Sequence, residues 1–136
     1  MPDHRPIVAV GAVAVYDGEL LLVRRGHGPA AGHWAVPGGR VEPGELVAQA
    51  VVRELAEETG LEGVCGPLVG WTEIIDDEHH FVVLDFEVTV LDPSAARAGD
   101  DAAEVRWVPL DDVCDLALVD GLAEFLHEHG ILPTIT

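Results

Sequence analysis

The middle of the chain carries an amphipathic helix pattern, which predicts a helix over residues 45–59. At 3.6 residues per turn, Val47, Val51 and Leu55 fall on one side and form an apolar stripe that faces a core. Gly60 follows where a residue in the left-handed conformation commonly ends a helix. A helix with one apolar stripe has to pack on another layer, so this segment predicts a layered globular domain.

Strand patterns flank this helix on both sides. Residues 7–16 are apolar and β-branched, Asp17-Gly18 is a strong hairpin signal, and residues 19–25 form the returning strand. A short strand at residues 33–36 is ended by the turn Pro37-Gly38-Gly39. Beyond the helix we predict one or two strands at 64–75, strands at 81–91 and 104–108, a short helix at 109–112 and a closing helix at 120–129.

The resulting order, β-β-β-α-β-β-β-α, indicates an α/β domain with a mixed sheet and helices on both faces. The 136 residues fit a single domain, and a composition of 49% hydrophobic and 24% charged residues is typical of globular proteins. No apolar run approaches the roughly 20 residues of a membrane-spanning helix, and no signal-type segment precedes the first strand, so we expect a cytosolic protein. Cys65 and Cys114 match no metal-ligand spacing and are expected to remain reduced, with one disulfide between them as the alternative.

The charge balance limits the kinds of molecule that this chain is expected to bind. There are 25 acidic residues against seven arginines and no lysine, which gives a formal net charge of −18. Nonspecific binding to nucleic acid or to an anionic membrane needs basic patches, so both are excluded as partners. An anionic substrate would need cations to approach this surface.

Three glutamates of the predicted helix stand close together. Glu54, Glu57 and Glu58 lie at i, i+3 and i+4, so their carboxylates project to one neighbourhood. Like charges at these spacings cost about 0.2–0.5 kcal/mol per pair, and each anion near the helix carboxyl terminus costs about 0.3–1 kcal/mol more. Arg53 offsets part of this through Glu57. Bound Mg²⁺ or Mn²⁺ would remove the conflict, because hard cations take clustered oxygen ligands, whereas the alternative is an ordinary solvated acidic face.

The segment from Gly39 to Leu61 resembles the Nudix box. Nine specified positions over 23 residues match it without a departure: Gly39, Glu45, Arg53, Glu54, Leu55, Glu57, Glu58, Gly60 and Leu61. The preceding stretch from Trp34 to Gly38 and the flanking strands extend the resemblance over nearly the whole chain. The resemblance is to MutT-like and ADP-ribose pyrophosphatase-like Nudix hydrolases. It implies one Nudix domain over residues 1–136, folded as an α/β/α sandwich with a mixed sheet and a catalytic loop-helix-loop.

The resemblance implies a set of metal ligands and a general base. Glu54, Glu57 and Glu58 would ligate one or more Mg²⁺ or Mn²⁺ ions, with the Gly38 carbonyl as an additional ligand. Metal ions of this kind neutralise phosphate oxygens and acidify a bound water, and a carboxylate accepts the proton. We favour Glu54 as that base, or else Glu104.

Glu104 is a candidate because it lies in an acidic stretch before the strand that contains Trp107, which resembles a segment common in the family. In this position Glu104 would serve both as a catalytic residue and as a metal ligand. Asp101 competes with it for either role, and a solvated position is open for both.

Supporting roles follow from the same resemblance. Arg53 would orient the glutamates through salt bridges without touching substrate, and Glu45 would support Arg53 or the loop near the start of the helix. Gly38 and Gly39 would let the backbone fold close to the metal and the phosphates, which makes Gly39 a candidate substrate contact.

Further substrate contacts are expected outside the box. Arg24 and Arg25 end the second strand and form a candidate phosphate clamp, although strand alternation leaves only one of them to serve. Trp34 and Trp71 are candidates for stacking on a base, with a position in the core as the alternative.

The family's substrates share a nucleoside diphosphate linked to another group. ADP-ribose or nucleotide-sugar substrates and (d)NTP substrates both remain open, because the proline that would indicate ADP-ribose hydrolysis is missing from residues 75–78. A noncatalytic nucleotide-binding or regulatory Nudix-like domain is the alternative, but such a domain would be expected to have lost box glutamates. Homodimers are frequent in the family, and a homodimer is a further expected partner.

Overall fold

The computed structural model describes residues 5–99 and 101–133. Eight strands and two α-helices make up this part of the chain. They are β1 (Ile7–Val13), β2 (Val15–Tyr16), β3 (Glu19–Arg25), β4 (Trp34–Ala35), β5 (Gly38–Arg40), α1 (Val47–Thr59), β6 (Gly63–Ile75), β7 (His80–Val90), β8 (Ala102–Pro109) and α2 (Leu122–Glu128). Short 3₁₀ segments span Pro93–Ala95 and Leu110–Asp115.

The strands form two four-stranded sheets. The first, called the mixed sheet here, has the order β5-β1-β7-β6, with β1 and β7 parallel and the other pairs antiparallel. The second, the antiparallel sheet, is centred on β3, which pairs with β2 and β4 on one edge and with β8 on the other. The predicted mixed sheet is confirmed, and the second sheet was not predicted as separate.

A helical layer covers each side of these sheets. On one side, Val10 and Ala12 of β1 pack in a cluster with Val51 and Leu55 of α1. On the other side, Val13 packs in a cluster with α2, including Phe125 and Leu126. Since successive strand residues point to opposite faces, β1 is buried on both faces, and the predicted α/β/α sandwich is confirmed.

The boundaries of α1 are set by local hydrogen bonds. Gly60 is left-handed, with φ of 71°, and its N–H donates to the Ala56 carbonyl at 2.9 Å, as the sequence predicted. The helix begins at Val47 rather than at residue 45. Leu46 is extended, and its N–H donates to the Gln49 side chain at 2.9 Å. The predicted start was therefore two residues too early.

Two segments predicted as a turn and a loop have more structure than expected. Gly38 and Gly39 belong to β5, which pairs with β1. The two backbones lie so close together that a Cβ on Gly38 would overlap the Val10 carbonyl oxygen, so this pairing requires glycine at position 38. The loop after β7 docks on the carboxyl end of α1: the Arg97 N–H donates to the Thr59 backbone carbonyl at 2.9 Å, and the Gly99 N–H donates to the Glu58 backbone carbonyl at 2.8 Å. These contacts bring the loop beside the box.

Within residues 5–99 and 101–133, no helix is long and apolar enough to cross a membrane. Cys65 and Cys114 are both free, which agrees with the prediction of reduced thiols.

Candidate active site

Arg53, on α1, holds three glutamates at once. Its Nε and Nη2 donate to the two carboxylate oxygens of Glu45 at 2.7 and 3.0 Å. Its Nη1 donates to Glu54 at 2.8 Å and to Glu57 at 3.1 Å. Its Nη2 also reaches the Arg40 carbonyl at 3.0 Å. One planar guanidinium with five donors thereby fixes the start of the helix, its middle and the neighbouring strand β5.

The electrostatics of the Arg53 cluster follow from these contacts. The hydrogen bond from Arg53 holds the pKa of Glu45 below its ordinary value, and the N–H of Glu42 lowers it further. The Glu45 carboxylate in turn raises the pKa of Arg53 above its usual range. Both shifts favour the charged forms, so the Glu45–Arg53 ion pair is present without a ligand.

Glu58 is placed differently from the other box glutamates. Its carboxylate accepts the Gly38 N–H at 2.9 Å, which joins α1 to β5. Burial raises the pKa of Glu58 to about 7, with a further contribution from the charges of Glu54 and Asp101. The Gly38 N–H and the charge of Arg25 act in the opposite direction. Glu58 is thus a largely buried carboxyl group that meets no ion-pair partner at close range in the described part of the chain.

Glu54 shares one feature with Glu57 and one with Glu58: it accepts a hydrogen bond from Arg53, and its pKa is raised by burial. Burial is the main cause that raises its pKa, and the Arg53 hydrogen bond opposes it. A Cβ on Gly39 would lie 2.5–2.7 Å from the Glu54 carboxyl atoms. The absence of a side chain at Gly39 therefore gives this carboxyl group its space, which is a structural reason for glycine at that box position.

The donor set fits a hard divalent cation in its chemistry. Carboxylate oxygens are the ligands that such ions prefer, and a cation would offset the burial and the neighbouring negative charges that raise the pKa of Glu54 and Glu58. Among residues 5–99 and 101–133, however, no three acidic, histidine or cysteine side chains surround a single point. The reason is visible in the contacts: Glu54 and Glu57 are turned to Arg53, and Glu58 is turned to the Gly38 N–H. A cation would have to draw Glu57 away from Arg53.

The two acidic candidates outside the box, Glu104 and Asp101, have different neighbours in the structure. Glu104 lies opposite Arg24 across β3 and β8, and its carboxylate is 3.5 Å from Arg24 and 3.9 Å from Arg106. Asp101 acts electrostatically on Glu58, as does Arg25. Of the candidates outside the box, Asp101 and Arg25, rather than Glu104 and Arg24, are the ones whose charges act on Glu58. The predicted catalytic and metal roles of Glu104 stay predictions.

The tryptophans differ in exposure. Trp34 is only 6% exposed and packs in the core with α2, and the Arg106 guanidinium carbon lies 5.5 Å from its ring centroid. This is the core position that the sequence left open, and stacking of Trp34 on a base is not part of the function proposed below. Trp71 on β6 is 58% exposed.

One acidic residue was missed by the sequence analysis. Asp85 of β7 is 7% exposed, and burial raises its pKa to about 6. In residues 81–91, Asp85 alternates with apolar residues in phase with Glu87 and Thr89, a pattern that is typical of solvent-facing positions. Glu87 and Thr89 are exposed, whereas Asp85 is not, and the sequence carries no signal for this difference.

Comparisons with known proteins agree with this geometry. The NUDIX domain family model matches residues 5–129. The ADP-ribose pyrophosphatase of Methanocaldococcus jannaschii is 39% identical over 114 residues, which are 82% of this chain and 67% of that protein. A putative 8-oxo-dGTP diphosphatase of Bacillus subtilis is 35% identical over 92 residues, or 66% of this chain, which spans only 57% of that relative. The crystal structure of a MutT Nudix hydrolase from Burkholderia pseudomallei has a TM-score of 0.82 and 31% identity, covering 91% of this chain and 98% of that one. This chain belongs to the Nudix hydrolase family.

Proposed function

We propose that this protein hydrolyses the diphosphate linkage of a nucleoside diphosphate joined to another group, with Mg²⁺ or Mn²⁺ as cofactor. The observation that carries the proposal is the Arg53 cluster: one guanidinium holds Glu45, Glu54 and Glu57 beside a fourth carboxylate, Glu58, which is fixed by the Gly38 N–H. A solvated acidic face would not need a partly buried arginine at its centre. Nudix hydrolases generally use divalent cations, in agreement with this donor set.

The metal would be held by Glu54, Glu57 and Glu58, with the Gly38 carbonyl as an additional ligand. When bound, it would neutralise phosphate oxygens and acidify a water for attack at phosphorus. The remaining work falls to residues of the chain. Arg53 positions the carboxylates, and the arginine beside Glu58, Arg25, supplies a cation for the diphosphate.

Glu54 is the favoured proton acceptor. Its carboxyl group is largely buried, and burial raises its pKa, so it accepts a proton more readily than an exposed glutamate does. Glu104, the other candidate for this role, is engaged with Arg24 and Arg106. The Glu54 carboxyl group lies directly over Gly39, beside the loop of the box.

The substrate class is proposed from the relatives. The name of the Methanocaldococcus jannaschii relative supports an ADP-ribose-like substrate, and the name of the Bacillus subtilis relative supports a nucleoside triphosphate. ADP-ribose is placed first, since that relative is matched over the larger share of both chains. The noncatalytic alternative has no support, because all nine box positions are present. A cytosolic location and a homodimer stay predictions.

The test is product identification with purified protein. ADP-ribose, NADH, nucleotide sugars, dinucleoside polyphosphates and normal or oxidised dNTPs are each incubated with Mg²⁺, with Mn²⁺ and with EDTA. We expect release of a nucleoside monophosphate from at least one substrate in the presence of metal and none with EDTA. Hydrolysis that persists in EDTA, or the lack of a product from every substrate with either metal, would contradict the proposal.

A further inference from the structure

A row of four paired residues crosses the mixed sheet, and three of the four are glycine. Asp85 of β7 pairs with Gly70 of β6 on one side and with Gly11 of β1 on the other. Gly11 in turn pairs with Gly38 of β5, whose N–H binds Glu58. We call these four residues the glycine row. It leads from the box to the opposite edge of the sheet, and Asp85 contributes its one side chain.

The neighbouring glycines give the Asp85 carboxyl group its space. A Cβ on Gly11 would overlap Asp85 Oδ1, and it would lie 3.2 Å from Val36 Cγ2. A Cβ on Gly70 would lie 2.5 Å from the His129 ring, at the end of α2. The Asp85 carboxyl group therefore lies over Gly11, and the His129 ring lies over Gly70 on the other side of Asp85 in the row.

The Asp85 carboxyl group has no partner there. Within residues 5–99 and 101–133, no hydrogen bond or ion pair reaches it, although the residue is only 7% exposed. No fully buried side-chain oxygen in that part of the chain lacks a partner, so the Asp85 oxygens keep a narrow contact with solvent. Burying a carboxylate without partners costs several kcal/mol. A group kept at that cost, with access to solvent, is suited to a ligand that supplies the missing donors.

We propose that Asp85 binds the nucleoside part of the substrate by accepting hydrogen bonds from two adjacent donors. This inference rests on the proposed function. Neighbouring strands lie about 4.8 Å apart, so Asp85, two strands from Gly38, lies roughly 10 Å from the amide that holds Glu58. That separation matches the reach from a diphosphate at the box to the nucleoside attached to it.

Two parts of a nucleotide offer such a donor pair. The edge of guanine presents two neighbouring N–H donors, and the 2′- and 3′-hydroxyl groups of ribose present two O–H donors. Adenine presents an acceptor beside a donor on its corresponding edge, so with an adenine nucleotide the ribose would be the partner. A carboxylate accepts from both donors of either pair through its two oxygens.

The experiment measures binding of product nucleotides to the full chain by calorimetry, without hydrolysis. The ligands are GMP, IMP, AMP and 2′-deoxy-GMP, all in the presence of Mg²⁺. IMP lacks the second donor of guanine, and the deoxynucleotide lacks one ribose donor. The wild type is compared with Asp85→Asn, which keeps the shape of the side chain, and with Asp85→Ser as a second variant. Glu87→Gln is the matched control, since Glu87 is an exposed acidic residue of the same strand, two positions away.

For the wild type we expect at least tenfold weaker binding of either IMP or 2′-deoxy-GMP than of GMP, and the weaker of the two identifies the donor source. Asp85→Asn and Asp85→Ser should remove that difference, and Glu87→Gln should keep it. Equal ratios in all four proteins would overturn the inference. The hydrolysis panel separates the two proposals: products with unchanged selectivity in Asp85→Asn would contradict the inference alone, and no products from any protein would contradict the proposed function.

Discussion

The carboxyl groups on the two faces of the mixed sheet differ in whether the protein supplies them with hydrogen-bond partners. On the side of α1, Glu45, Glu54 and Glu57 share the guanidinium of Arg53, and a backbone N–H binds Glu58. On the side of α2, the carboxyl group of Asp85 lies over the glycine row without a hydrogen-bond partner in the described part of the chain. Donors of the protein offset the charge of the glutamates on the α1 side, and no such donor offsets the charge of Asp85.

We infer from this difference that the carboxylates on the α1 side position the reacting groups and that Asp85 recognises the substrate. Carboxylates that are held by a built-in cation have a defined position before any ligand arrives, although Glu57 would have to leave Arg53 to reach a metal ion. A carboxyl group without a partner gains its hydrogen bonds only when a ligand supplies them, so its free energy depends on which ligand is bound. Changes on the α1 side should therefore alter turnover, and changes on the α2 side should alter selectivity and stability.

The largest effect is expected for Glu58→Gln. The amide keeps an acceptor for the Gly38 N–H, so the contact between α1 and β5 remains, but the charge required for metal is lost. We expect kcat to fall at least about 100-fold, because metal-borne charge stabilisation contributes several kcal/mol. Steady-state kinetics with Mg²⁺ and the substrate found in the panel measure this.

Glu62→Gln is the control, since Glu62 is an exposed glutamate just beyond the helix. Its kcat should equal that of the wild type. Folding of Glu58→Gln should be intact or improved, because burial raises the pKa of Glu58 to about 7 and its ionised form is unfavourable in the folded state. Full activity of Glu58→Gln would remove the distinction between the two faces.

The next largest effect concerns Asp85 and pH. Burial raises the pKa of Asp85 from 3.8 to about 6 in the folded state, so the folded chain binds the proton more tightly than the unfolded chain. The stabilisation of the folded state by protonated Asp85 is fully present below pH 4 and is lost as the pH rises through 6. Over this window the stability advantage of Asp85→Asn over the wild type should grow by up to about 3 kcal/mol, at roughly 1.4 kcal/mol per pKa unit.

Urea unfolding at pH 4, 5, 6, 7 and 8 in EDTA measures this difference. The charge of His129 acts on Asp85 in the opposite direction, so the comparison is repeated in a His129→Gln background. A constant difference between wild type and Asp85→Asn at all five pH values would show that Asp85 is not an uncompensated carboxyl group.

Arg53→Lys should have a smaller effect, confined to the α1 side. A lysine keeps the charge but cannot make the forked contact with Glu45 while also holding Glu54 and Glu57. We expect kcat to fall about tenfold to thirtyfold, which corresponds to about 1–2 kcal/mol, with KM unchanged. A rise in KM with unchanged kcat would place Arg53 in contact with substrate instead. Arg97→Lys, at an exposed arginine beside Gly60, is the control.

The features that could be predicted from the sequence are those set by local spacing. The apolar stripe of α1, the left-handed Gly60 and the contact between Arg53 and Glu57 each depend on residues within one or two helical turns. The three-layer architecture followed from the order of the elements.

The features that could not be predicted depend on pairing between distant segments. Gly38 and Gly39 form a strand because β1, almost 30 residues earlier, lies against them. Asp101 rather than Glu104 acts electrostatically on Glu58. The preceding loop is tied to the carboxyl end of α1, and the register of β3 and β8 shifts at Arg24 and Arg25, so both contacts join segments that are distant in the sequence. Alternation along β7 identified the two faces of the strand but not that α2 covers the one with Asp85.

The smallest expected effect is that of salt, which acts on a property common to both faces. A net charge of −18 repels an anionic nucleotide before it reaches either the box or Asp85. Raising KCl from about 0.05 to 0.5 M shortens the screening length from roughly 14 to 4 Å, so KM should fall by about twofold to fivefold while kcat stays constant. Kinetics at five salt concentrations test this. A steep rise in KM between low and moderate salt would contradict this prediction. It would indicate that attraction of the substrate by Arg25, on the α1 side, outweighs repulsion by the net negative charge.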